Sequence, residues 1–113
     1  AQAVLEAYPD VTAIMCGNDQ IAVGAQTAVN LLGMDNVIIY GVDGSPDIKK
    51  ELLKSDTQIA GTAAQSPINM GKEAVSVALA VLDGGEYEKE NYVDIIDMIT
   101  KDNVEMYGAD GWQ

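Results

Sequence analysis

The sequence has no histidine, no arginine and no phenylalanine, and it carries a single cysteine, Cys16. Without imidazole there is neither the commonest general base nor a His metal ligand. One thiol cannot close an intrachain disulfide, and with no second Cys or His it cannot build a zinc site. Cys16 lies in the apolar run Ala13-Ile14-Met15-Cys16 and is expected to be a buried small hydrophobe. Six lysines face eighteen acidic residues, for a net charge of −12. That balance argues against a nucleic-acid surface, which needs a basic patch to release counterions from phosphates. It also argues against a phosphorylated ligand, whose usual partner is the arginine fork. No apolar run reaches the ~20 residues that cross a bilayer, and the longest stretch, residues 74–82, is interrupted by Ser76. Dinucleotide-binding, phosphate-cradling and nucleophile-elbow motifs are all missing. The residues left for catalysis are isolated carboxylates, so the sequence is not read as an enzyme, and no cofactor or metal is expected.

What is present is the make-up of a folded domain. Hydrophobic residues at 48% and charged residues at 21% are far from the profile of a disordered chain. At 113 residues the chain is the size of one small domain, large enough for a core. Short apolar runs alternate with helical periodicity, which predicts βαβ units and an α/β fold with a doubly wound parallel sheet. The first run, residues 11–16, leads to the polar pair Asn18-Asp19. Ile21, Ala22, Ala25, Ala28, Val29 and Leu32 then recur at helical spacing up to Gly33, a C-terminal stop. Residues 37–42 are apolar in succession, a strand expected to be covered on both faces. Ser45 and Pro46 start a short helix ending near Ser55. A third strand of small residues, 58–64, precedes Ser66-Pro67 and a long helix with Ile68, Gly71, Ala74, Val75, Ala78, Leu79 and Leu82 on one face. The segment 92–99, interrupted by Asp94 and Asp97, is expected to cross between lobes or form an edge strand. A turn at residues 100–103 and a polar tail to Trp112 follow. Glu86, Glu88 and Glu90 read as a solvated loop, and the scattered methionines as packing.

In open α/β sheets ligands bind outside the carboxyl ends of the strands. Three residues occupy those ends: Asn18 after the first strand, Asp43 at the end of the second and Gln65 at the end of the third. An amide, a carboxylate and an amide can accept from and donate to several hydroxyls at once, as a polyol requires. The charged acceptor matters most, because hydrogen bonds to an ionised group are about twice as strong as neutral ones. Each residue also has a plainer reading: Asn18 as a helix cap, Asp43 as a turn residue beside Gly44, and Gln65 as a polar strand end. Asp43 alone would also suit the phosphorylated carboxylate of a receiver domain. That domain further needs an acidic pair after its first strand and a late lysine, and Asn18-Asp19 and Gln65-Ser66-Pro67 do not supply them.

The segments Ala13-Ile-Met-Cys-Gly-Asn-Asp-Gln-Ile-Ala-Val-Gly-Ala, Val37-Ile-Ile-Tyr-Gly-Val-Asp-Gly-Ser-Pro-Asp and Ile59-Ala-Gly-Thr-Ala-Ala-Gln-Ser-Pro resemble, in order, the C-terminal lobe of the ribose- and galactose-type (type 1) periplasmic sugar-binding proteins. The same scaffold serves lac-repressor-type regulators. The resemblance implies that Asn18, Asp43 and Gln65 contact a sugar and that Asp19 mainly caps its helix. It implies the substrate-binding component of an ATP-driven (ABC-type) sugar importer, with a monosaccharide held in a cleft between two lobes and a membrane permease as partner. The runner-up is the effector-binding domain of a regulator; the Gly41-Val-Asp-Gly44 wording and the arginine-free surface favour transport. Residues 1–113 then form a partial C-terminal lobe, with the N-terminal lobe and the start of this lobe outside it. Ala1 to Tyr8 read as the closing turns of a helix already under way, so the absence of a signal or lipoprotein sequence has no bearing on the expected place, periplasmic or membrane-anchored outside the cell. An exposed sheet edge and an apolar helix face are expected to recruit another chain. Trp112, in the tail, is not read as a ligand contact.

Overall fold

The computed structural model describes residues 1–93 and 96–112. Five helices and four strands alternate along it: α1 (Gln2–Ala7), β1 (Ala13–Met15), α2 (Asp19–Leu32), β2 (Ile38–Asp43), α3 (Pro46–Leu52), β3 (Ile59–Ala64), α4 (Pro67–Leu82), β4 (Asp97–Thr100) and α5 (Val104–Tyr107). The strands form one sheet in the order β1-β2-β3-β4. As expected for βαβ units, β1, β2 and β3 are parallel. The parallel expectation ends there, because β4 pairs antiparallel with β3, from Gly61 opposite Thr100 to Ala64 opposite Asp97. The 92–99 segment therefore ends as an edge strand, while Asp94 falls outside the described residues. The short helix α5 occupies what the sequence pattern left as tail.

Local chemistry explains where the helices start. Asn18 caps α2 by accepting the Ile21 N–H through Oδ1, and Gly33 closes that helix at φ 66°, a left-handed conformation that glycine adopts without strain. Ser45-Pro46 and Ser66-Pro67 repeat one device. The serine hydroxyl accepts the N–H three residues on, and the proline occupies the first turn, where no N–H is needed.

The core lies between the sheet and the pair α2 and α3, with Val29, Ile39, Ile48, Ile59 and Ile99 fully buried in it. Cys16 is buried there too, as its apolar run implied, and burial raises its thiol pKa. Side chains in β2 alternate: Ile39 and Gly41 are buried, whereas Ile38 is 50% exposed and Tyr40 and Val42 are half-buried. The expectation that β2 is covered on both faces is not met among the described residues, where no helix buries the second face. The long α4 has no buried residue at all. Its apolar face, including Ile68, Val75, Leu79 and Leu82, is solvent-exposed.

Candidate functional site

Asp43 and Gln65 come together at the carboxyl ends of adjacent strands. Gln65 Nε2 donates to Asp43 Oδ1 at 3.0 Å, and the Gln65 backbone N–H donates to the Asp43 carbonyl at 3.1 Å. Both are half-buried, and both line an open groove of about 640 Å³ with Pro67, Ile68, Met70 and Trp112. Asn18 sits at the same edge of the sheet, after β1, but does not line this groove. Its Oδ1 is engaged by Ile21 at 2.9 Å, which leaves the amide nitrogen as the group it can offer a ligand.

The Asp43 backbone is held in an uncommon state. Its φ is 122°, the one positive value among the described non-glycine residues, and Gly44 follows at φ 76°. Such a conformation costs about 1–3 kcal/mol for a side chain with a Cβ and persists only where the surroundings over-determine it. The surroundings are Asp19 and Thr62, both fully buried. The Thr62 hydroxyl donates to Asp19 Oδ1 at 2.7 Å and accepts the Gly44 N–H at 3.2 Å. Asp19 Oδ2 accepts the Ser45 N–H at 2.6 Å. The two amides that follow Asp43 are thus fixed by a carboxylate–hydroxyl pair reaching from α2 and β3. A Cβ on Gly41 would collide with Asp19 Oδ1 and with Ile48 Cδ1, so glycine is what lets the start of α2 approach β2 this closely. The expectation that Asp19 mainly caps its own helix is corrected here: Asn18 is the cap, and Asp19 braces the 43–45 turn.

Trp112, for which the sequence offers no reason to expect ligand contact, lines the groove beside Asp43 and Gln65. The tail is drawn there along α3 by two lysines. Lys49 Nζ donates to the Gly111 carbonyl at 2.5 Å, and Lys50 Nζ lies 3.7 Å from Asp110. Lys49 is 0% exposed, and burial lowers its pKa against the opposing pull of Asp110. Sequence reasoning could not have found this pair, because Lys49 and Gly111 are 62 positions apart.

The groove therefore presents a carboxylate and an amide on one side, and proline, aliphatic, thioether and indole surface around them. That mixture suits a small neutral ligand with several hydroxyls and an apolar face.

Comparison with known proteins agrees with the fold. The family model described as periplasmic binding protein domain matches residues 1–86. The ribose import binding protein of Salmonella typhimurium is 38% identical over 94 residues, which is 83% of this chain and 31% of that protein. The D-apiose import binding protein of Paraburkholderia graminis is 32% identical over 103 residues, 90% of this chain and 32% of that protein. Among solved structures, the ABC transporter solute-binding protein of Agrobacterium vitis with bound allitol superposes with a TM-score of 0.84 at 28% identity, covering 94% of this chain and 37% of that one. The chain thus spans about a third of the length of the relatives it matches.

Proposed function

The chain belongs to the periplasmic binding protein domain family, and from that premise we propose that it is the greater part of the C-terminal lobe of a solute-binding protein serving an ABC-type sugar importer. The complete protein has two lobes, a monosaccharide lies in the cleft between them, and hinge closure traps it for a membrane permease. It works outside the cytoplasmic membrane, in the periplasm or anchored at the cell surface, and it binds without catalysing. Asn18, Asp43 and Gln65 form this lobe's share of the polar contacts to the sugar hydroxyls. The observation that carries the reading is the Asp43–Gln65 pair on the groove wall, held by a braced and strained turn at a strand end. The named relatives, ribose and D-apiose import binding proteins, favour transport over an effector-binding domain of a regulator.

The test is calorimetry on the two-lobed protein with D-ribose and D-apiose. Asp43→Asn removes the charge while keeping the side chain's shape. It is expected to weaken binding by about tenfold or more, the worth of a hydrogen bond to an ionised group. Asp43→Ala is expected to lose most of the affinity while the ligand-free melting temperature stays high. Unchanged affinity in both variants would remove Asp43 from the site.

A further inference from the structure

A sugar has two kinds of surface: hydroxyl edges that need hydrogen bonds and a flat C–H face that needs apolar contact. Asp43 and Gln65 answer the first in this lobe. The second calls for a flat apolar wall, and the chain has no phenylalanine and one tryptophan. Of the described residues that line the groove, Trp112 alone presents an aromatic plane. It is 45% exposed, so over half of its surface is already covered although it stands in a terminal segment.

The tail that carries it is tied down. An ammonium group buried without a partner is costly. The fully buried Lys49 is satisfied by donating to the Gly111 carbonyl, directly before Trp112. Lys50 adds an exposed ion pair to Asp110, worth little by itself but acting in the same direction. Gly108, at φ 66°, lets the chain turn back after α5 toward the start of α3. The position of the indole is therefore tied to α3 through Lys49.

We propose that Trp112 is the aromatic wall of the ligand site, packing against the C–H face of a sugar whose hydroxyls bond to Asp43 and Gln65. The inference rests on the sugar-binding reading above and adds a residue that sets which sugars fit. An indole wall favours a ligand with an uninterrupted C–H face and disfavours epimers that place a hydroxyl against it. Lys49 acts as a positioning residue, through the tail.

The experiment uses the two-lobed protein and D-ribose, with Trp112→Ala, Trp112→Phe, Lys49→Met and Asp43→Ala measured side by side by calorimetry, each with a thermal melt without sugar. Trp112→Ala is expected to lose roughly tenfold in affinity, as for removal of a good aromatic contact, and Trp112→Phe to keep most of it. The ligand-free melting temperature of both should stay within about 2 °C of the parent, since a groove-edge side chain lies outside the core. Saturating D-ribose should alter indole emission in the parent, and that change should vanish in Trp112→Phe. Lys49→Met should weaken D-ribose binding when Trp112 is present and cause no further loss in the Trp112→Ala background, a coupling that general destabilisation would not produce. If Trp112→Ala binds as the parent does while Asp43→Ala fails, Trp112 is a packing residue and the inference falls alone. If both variants bind normally, or the parent takes up neither D-ribose nor D-apiose, the strand-end reading falls with it.

Discussion

Asp43 combines a carboxylate on the groove wall with a backbone that most residues avoid, and the brace that tolerates this is made of two side chains. Thr62 is the joint, donating to Asp19 and accepting from Gly44. Thr62→Val keeps the shape but leaves a buried carboxylate oxygen and a buried N–H without their partner. The expected cost is about 1–3 kcal/mol in urea denaturation, with most of it recovered in Thr62→Ser. Because the brace acts through the turn, Thr62→Val should also weaken D-ribose binding in the two-lobed protein. In an Asp43→Ala background it should cause no further loss. Equal losses in both backgrounds would mean that Thr62 supports the domain at large and not Asp43. This network also marks a limit on what the sequence discloses. The caps at Asn18, Ser45 and Ser66 are readable because each cap and its N–H lie three positions apart. Asp19 and Thr62 are 43 apart, and only the packing of α2 over β3 makes them neighbours. Asp43 and Gln65 were legible as strand ends, whereas Trp112 was not, because nothing in a tail's composition says which groove it returns to.

At the scale of elements, α4 stands apart from the rest. It has 16 residues, a good serine cap and an apolar face, yet no residue of it is buried. A helix of this length is marginal in water when nothing packs on it, since most helical stability in proteins comes from tertiary contact. In the 113-residue chain by itself, α4 amides are therefore expected to exchange with solvent orders of magnitude faster than those of β2 and β3. In the two-lobed protein they should be protected to a similar degree as α2. Slow α4 exchange in the short chain would show that the helix finds its partner within these residues. The sequence made the helix itself plain through the spacing of Ile68, Val75, Leu79 and Leu82, but periodicity says nothing about what an apolar face meets. The direction of β4 was hidden for a related reason. Side-chain alternation is the same in parallel and antiparallel strands, so direction follows from the route the chain takes before Asp97.

The whole molecule is elongated, 59 × 30 × 16 Å, with a radius of gyration of 17.7 Å. A compact domain of this length would have a radius of gyration of about 13 Å. The excess accompanies two unpartnered apolar surfaces: the face of α4 and the side of the sheet where Met15 is 76% and Ile38 50% exposed. Contiguous surfaces of this kind drive association. Opposing them is a net charge of −12, which makes copies of the chain repel one another. Which effect wins depends on salt. At ~0.01 M ionic strength charges act over about 30 Å, comparable with the molecule itself, whereas at ~0.15 M they are screened within about 8 Å. Light scattering on the chain alone should therefore report mostly the 12.0 kDa monomer at low salt and growing oligomers as salt is raised. Leu79→Glu with Leu82→Glu, which charges the exposed face of α4 without touching the core, should move the onset to higher salt. A monodisperse monomer across the whole series would mean that the apolar faces are too small or too mobile to dock.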